Sequence, residues 1–407
     1  MTQPVQAALL RQLNTLHVLG VIRRQGPISR VQIVDATGLS KAAVSNITGA
    51  LLAGGLLVET AAEGNGEAER GRPRVMLELN PRAAFLVGVS LSSINVGVAV
   101  INFRGQVVDS IDNMMRPYRH SPEVVADMVK DGIQQCAAQA GLSLDQIEAV
   151  GIGIPGLVEQ DGGIVHWPSI FSRSDVPFKA LIASRLRRPV FIDNDVNLYT
   201  LAQHWKGVAS NLDDFALVYV DLGIGLGLVL HGELYRGSAG LGTELGHIQI
   251  DRNGPLCGCG QRGCLNAFAS DVAILNRAAG IIDICDPDDP FAARRAIQQV
   301  TEQARAGNEP LQAVFREAGE ALGIGLADLI NLINPPVIVL CGGGLRAGGL
   351  LLDPMKAAMQ ANVLPALEGR TRLILDCPPI QVRGLGPALY ALQQRYFALP
   401  ATFRAAT

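Results

Sequence analysis

The sequence predicts a winged helix-turn-helix followed by a two-lobed α/β domain, and three observations predict it. The first eighty residues hold three short apolar-periodic stretches set off by capping residues and glycine stops. From Ala84 onward the pattern changes to apolar strands alternating with helices, and it does so twice. Charge is split unevenly: residues 1–82 carry nine Lys/Arg against six Asp/Glu, or +3, so a total of −3 leaves −6 for the remainder. A basic module on an acidic body points to nucleic acid, and a helix-turn-helix with a wing narrows this to double-stranded DNA as a partner. With 407 residues, 48% hydrophobic and 17% charged, the chain is long enough for two or three domains with cores of their own. Its most apolar stretches, 215–230 and 337–352, are interrupted by Asp221 and Arg346 and rich in glycine. They read as buried strands, not as membrane spans.

The first helix is expected over 9–24, where Leu9, Leu10, Leu13, Leu16, Val18, Leu19, Val21 and Ile22 recur at near-helical spacing before Gly26-Pro27. Ser29 can cap a second helix over 30–36, stopped by Thr37-Gly38. Ser40 can cap a third over 41–52, ended by Gly54-Gly55. Strands over 56–59 and 75–79 then flank a Gly/Glu-rich tip and add a wing. In the third helix Val44, Ile47 and Leu51 face inward, which leaves Lys41, Ala42, Ser45 and Asn46 as candidates for the major groove. Small residues let the helix sit deep, Asn46 can bond an adenine edge, and Lys41 can reach guanine or phosphate. In the wing, Arg70 and Arg72 lie in Arg70-Gly71-Arg72-Pro73-Arg74, a cationic strip suited to the minor groove, or else a solvated basic turn beside Glu67 and Glu69.

Beyond the wing, a strand hairpin is expected over 85–100 and 106–110, a helix over 122–140, and a strand over 149–156 that ends in a turn. The second round comprises 215–230, a helix over 311–333, and a strand over 337–344. Two similar halves imply two lobes with a cleft between them.

His247, Cys257, Cys259 and Cys264 fall within one eighteen-residue run, with three of the seven cysteines inside eight residues and glycines permitting tight turns. Three thiolates and one imidazole fill a tetrahedral Zn²⁺ shell and leave no position for water, so the expected ion is structural. Reduced cysteines without a metal are the alternative. The chain begins Met-Thr-Gln-Pro-Val-Gln-Ala-Ala, without a basic and then apolar leader, so a cytoplasmic setting is expected and a disulfide is disfavoured.

These motifs, together with Gly151-Ile-Gly-Ile-Pro-Gly156, Asp193-Asn-Asp-Val-Asn197 and Gly242-Thr-Glu-Leu-Gly-His247, resemble the ROK family of sugar kinases and sugar-responsive repressors, and its repressor branch in particular. The resemblance implies an actin-like, sugar-kinase-type (ribonuclease H-like) fold, a sugar between the lobes, and a homodimer or dimer of dimers on a palindromic operator. It implies a division into a winged helix (1–82), a first lobe (83–200), a second lobe with the zinc motif (201–390), and a tail (391–407) packing back on the first lobe.

By the same resemblance Asp195 stands where kinases keep their general base, beside Asn194, which bonds sugar hydroxyls. Phosphoryl transfer also needs a cradle for ATP phosphates and metal. Where kinases have Asp-x-Gly-Gly-Thr, this chain has Ser90, Leu91, Ser92, Ser93 and Ile94; where they have Gly-Thr-Gly, Ile224 replaces the threonine. The expectation is therefore a non-enzyme with a vestigial base at Asp195. Asn194, Asp195, Glu244 and His247 are candidate sugar ligands, joined by Asn266, where kinases carry glutamate, and by Ser169 from the opposite side. Asp195 and Glu244 can alternatively serve a buried network. A kinase with an appended DNA-binding module, and a regulator governed by a protein partner with a vestigial sugar pocket, are the rival functions; activation instead of repression also stays open.

Overall fold

The computed structural model describes residues 3–61, 75–113, 120–168, 170–238, 240–284, 290–376 and 383–399. Arg70, Arg72 and Ser169 lie outside them.

Helix α1 (Gln3–Gln25) starts six residues before the expected point, with Pro4 in the first turn, where its missing N–H costs nothing. Its apolar face, Val18, Leu19, Val21 and Ile22, is buried. After β1 (Ile28–Ser29), the helix α2 (Arg30–Thr37) opens with a capping box between Ser29 and Gln32 and closes on Gly38 at φ 68°. Helix α3 (Lys41–Ala53) is capped by Ser40, which accepts from the Ala43 N–H. Each such cap is worth about 1 kcal/mol, and together they fix the turn between the two helices. Strands β2 (Leu57–Ala61) and β3 (Val75–Leu79) pair with β1 in the order β1-β3-β2, forming the wing.

The first lobe contains β4 (Phe85–Leu91), β5 (Val96–Asn102), β6 (Val107–Asn113), α4 (Pro122–Gln139), β7 (Ile147–Ile154), the hairpin β8 (Gly156–Glu159) and β9 (Ile164–Pro168), α5 (Phe178–Leu186), β10 (Val190–Asn194) and α6 (Asp195–Lys206). The second contains β11 (Phe215–Val220), β12 (Ile224–Leu230), β13 (Glu233–Tyr235), the helices α7 (Asn266–Ala269), α8 (Asp271–Ala278), α9 (Pro290–Arg305) and α10 (Glu309–Ile333), then β14 (Val337–Cys341), α11 (Gly349–Asn362) and β15 (Arg372–Leu375). The sheet orders are β10-β7-β4-β5-β6 and β13-β12-β11-β14-β15. In each, the first strand is central, an antiparallel meander lies on one side and two parallel strands lie on the other. The two halves expected from the sequence therefore share one topology.

One expectation is corrected. The stretch 337–352 is a strand only to Cys341; Gly342, at φ 110°, breaks it, because a Cβ there would sit 2.1 Å from the Val220 carbonyl oxygen, and the chain turns into α11.

Helix α6 contacts β7, β10 and α12 as well as β11 and β12, and the expected lobe boundary at 200 falls inside it. Helix α12 (Leu385–Leu392) crosses back onto β4, β5 and β7 of the first lobe, beginning within the expected second lobe. Its approach is close: a Cβ on Gly88 would lie 2.0 Å from the Gly384 carbonyl oxygen, and one on Gly151 1.9 Å from that of Pro387. A single apolar core joins this helix to the winged helix, running from Val18, Val21 and Ile22 through Leu86, Phe103 and Leu198 to Leu389 and Leu392. Arg23 of α1 lies 3.8 Å over the Trp205 ring at the far end of α6, and Phe397 packs edge-on against that ring. Arg104 of the first lobe donates to the Leu79 carbonyl and pairs with Glu78 on the wing strand.

Candidate functional site

The loop that follows β13 brings His247, Cys257, Cys259 and Cys264 together, with their ligand atoms all within 4.8 Å of one another. Cys259 Sγ and Cys264 Sγ are 3.6 Å apart, and Cys257 Sγ is 3.7 Å from His247 Nδ1. A tetrahedron with metal–sulfur bonds of about 2.3 Å has edges of roughly 3.7 Å, so these two separations match metal-bound spacing and the four groups could hold one ion. Local turns supply that spacing. Gly263, at φ 72°, donates to the Pro255 carbonyl and accepts from Ile250; Leu265 donates to Ile248 and Cys257 to Gln261. Partial burial holds the His247 imidazole below its ordinary pKa, so at neutral pH it is in the uncharged form that ligates metals.

The candidate sugar residues come from both lobes. Strand β10 ends at Asn194, whose side-chain oxygen accepts from the Val196 and Asn197 N–H groups and so caps α6, while its Nδ2 donates to the Gly156 carbonyl at 2.9 Å. Asp195 thus occupies the first turn of a helix. Desolvation first, then the neighbouring Asp221 and Glu244 carboxylates, lift its carboxyl to about 7 despite the opposing Val196 N–H. Glu244 opens to solvent, yet partial desolvation holds it above the ordinary glutamate value as well.

Sequence reasoning missed the pair that ties these halves together. Asp193, 1% exposed, accepts from Asn197 Nδ2 and the Asn194 N–H on one oxygen and from Arg236 Nε at 2.7 Å on the other. Arg236 follows β13 in the second lobe, and its carbonyl accepts from Gly242, two residues before Glu244. No periodicity or spacing links residues 43 apart across two lobes; the Asp193-Asn-Asp195 run was the only signal at one end.

In the 90–94 and 223–225 stretches, backbone donors are engaged by the protein's own side chains. The Ile224 N–H donates to Asn266 Oδ1 at 2.9 Å, so this half of the Asn266 amide is committed to the 223–225 turn. Ser92 Oγ accepts from the Ile94 and Asn95 N–H groups, and the Ser90 hydroxyl bonds Tyr199. Tyr199 from α6 stacks on Tyr219 from β11, with ring centroids 5.3 Å apart and planes at 11°, and Tyr219 donates to Asp221. Beside them Arg346 pairs with the buried Asp271.

The winged helix presents Lys41, Ala42, Ser45 and Asn46 together on the exposed face of α3. Val44 and Leu51 are buried and Ile47 half-buried, but Thr48 is buried too, its hydroxyl bonded to the Val44 carbonyl and receiving Arg30 Nε.

Residues 88–377 match the ROK family. The chain belongs to the ROK family. A separate match, of residues 11–66, to the MarR family covers most of α1 with α2, α3 and β2, and stops before the wing strand β3. A xylose repressor of Caldicellulosiruptor bescii is 29% identical over 86% of this chain and 87% of its own length. NagC of Escherichia coli K12, a DNA-binding transcriptional dual regulator, is 27% identical over 88% of this chain and 87% of its own. A solved ROK family transcriptional regulator, a homolog of the E. coli MLC protein, aligns with a TM-score of 0.77 and 26% identity over 94% of this chain and 96% of its own. A ROK hexokinase from Thermus thermophilus gives 0.60 and 26%, covering 75% of this chain and 98% of itself. The ROK domain is thus common to regulators and kinases, and the likeness to the regulator extends further along the chain.

Proposed function

We propose that this ROK protein is a sugar-responsive transcriptional regulator, a repressor that leaves its operator when a sugar binds between its lobes. The observation that carries the reading is the continuous core: the DNA-binding helices and the lobe bearing Asn194 and Asp195 are packed as one body. Asn194, Asp195, Glu244 and His247 offer the donors and acceptors that vicinal hydroxyls require, with Asn266 and Ser169 as further candidates. Zinc held by His247, Cys257, Cys259 and Cys264 would order the 247–264 loop; through Nδ1 it would fix the orientation of the His247 ring, leaving Nε2 for a sugar hydroxyl. Lys41, Ala42, Ser45 and Asn46 read the major groove, and Arg70 and Arg72 the minor groove.

The protein acts as a homodimer or dimer of dimers, because two recognition helices about 34 Å apart read a palindrome, and a small change of lobe angle alters that spacing. Among the described residues no helix is long and apolar enough to cross a membrane; it is the regulator reading that places the site of action in the cytoplasm.

In a mobility-shift titration against the DNA upstream of its own gene, the protein is expected to bind specifically and to be released by one member of a panel of mono- and disaccharides. Asn46→Ala is expected to weaken specific binding about 10-fold or more, and Lys41→Ala to lower the salt slope by about one. Specific binding that no sugar alters would sink the reading.

The protein is a regulator without kinase activity. The groups at Ser90, Ser92, Ile94 and Ile224 are engaged within the chain, and a base at Asp195 without positioned phosphate leaves most of the barrier in place. With ATP, Mg²⁺ and the sugar that releases DNA, no sugar phosphate is expected; turnover near 1 s⁻¹ would contradict this.

A further inference from the structure

Trp167 lies beside the candidate sugar site and has no role in the reading above. It stands on β9 opposite Leu157, one residue before Pro168, which pairs with the Gly156 whose carbonyl holds Asn194. Its ring stacks on His247 from the other lobe, with centroids 5.6 Å apart and planes at 28°. Even so, Trp167 is 42% exposed, unusual for the largest apolar side chain. The chain's other tryptophan, Trp205, is half-buried, with Arg23 over its ring and Phe397 against its edge.

The strand that displays Trp167 is braced. The neighbouring His166 is held on both ring nitrogens, by Asp175 at 2.8 Å and by Glu159 of β8 at 3.1 Å, and Val165 bridges to Val176. An aromatic ring fixed in place, with one side on a candidate sugar ligand and much of its surface open to water, is preorganised to stack on the C–H face of a sugar ring at little entropic cost. Asn194 and Asp195 are half-buried at the start of α6, whereas 42% of Trp167 is open to water. With one side taken by the His247 stack, the indole offers its open surface to a unit beyond a ring bonded to Asn194, Asp195 and His247.

We propose that Trp167 is the platform of a second sugar subsite, so that the effector is a glycoside of at least two rings in preference to a free monosaccharide. This rests on the carbohydrate reading of the interlobe site.

The test is calorimetry of the full chain with glucose, xylose and N-acetylglucosamine and with disaccharides of each, on wild type, Trp167→Ala and Trp167→Phe. One disaccharide is expected to bind wild type at least 10-fold more tightly than its monosaccharide and to change the emission that Trp167→Phe lacks. Trp167→Ala should bring the two within about threefold while monosaccharide affinity and metal content stay unchanged, and Trp167→Phe should restore part of the difference. Disaccharides that bind wild type no better than monosaccharides overturn the proposal. So does an equal loss for both in Trp167→Ala, which would reduce Trp167 to a support for His247. Wild type that binds no sugar at all would overturn the carbohydrate reading itself, and the subsite with it.

Discussion

Cys264→Ser protein is expected to lose its bound zinc and to melt several degrees below wild type. Cys264 is buried and its thiol lies 3.6 Å from that of Cys259, so a serine there gives up one of three thiolates at a site built to metal-bound spacing. Zinc contributes about 10–16 kcal/mol to the folding of isolated finger peptides. The loss here should be smaller, on the order of 3–5 kcal/mol, because bonds from Ile250, Gly263 and Leu265 hold the loop to itself. Metal analysis together with thermal melting, with and without a chelator, checks this. Sugar affinity should fall in parallel, since His247 loses the ion that orients it. Full zinc content in the variant, or an unchanged melting point after chelation, would remove the structural-ion reading.

Asp195→Asn is expected to move stability and binding in opposite directions. The Asp195 carboxyl is raised from about 3.8 to about 7, chiefly by desolvation, so between those values the folded protein holds a proton that the unfolded chain releases. Stability from this group is complete below about pH 4 and is lost as pH rises through 7, up to roughly 4 kcal/mol in all. Asparagine cannot ionise, so the variant should be the more stable one at pH 8 and close to wild type at pH 4. On the proposed reading Asp195 binds sugar as the ionised acceptor; in wild type binding should then strengthen as pH rises through 7, and in the variant it should fall about 100-fold, the worth of one to two charge-assisted bonds. Asp271, also lifted to about 7, adds a stability change of the same sign to both proteins and cancels in their difference. Equal melting points at pH 8, or undiminished sugar affinity, would contradict the assignment.

Much of this was legible because it is written locally. Ser29, Ser40 and Gly38 mark helix ends through bonds three or four residues away, and the Cys257, Cys259 and Cys264 spacing lies within one loop. Thr48 escaped the periodic reading because its back-bonded hydroxyl lets a polar residue take a core position. What joins distant parts of the chain was not readable: the Asp193–Arg236 pair, the Tyr199–Tyr219 stack and the bond from Ile224 to Asn266 each join residues 20 to 43 apart and follow only from topology. The return of α12 is a larger case. The family resemblance implies a tail over 391–407 packing back on the first lobe; the segment that packs on β4 and β7 begins earlier, at Leu385, and Gly88 and Gly151, far away in sequence, make room for its backbone.

That late partner sets an order of events during synthesis. Val18, Val21 and Ile22 share their core with Leu389 and Leu392, which are made some 370 residues later. At about 5–20 residues per second the early helices wait roughly 20–70 s for their missing wall. A nascent copy therefore cannot finish the module that grips duplex until nearly all of the ligand-sensing body has been translated, so a truncated product should not compete for operator sites with the full-length protein.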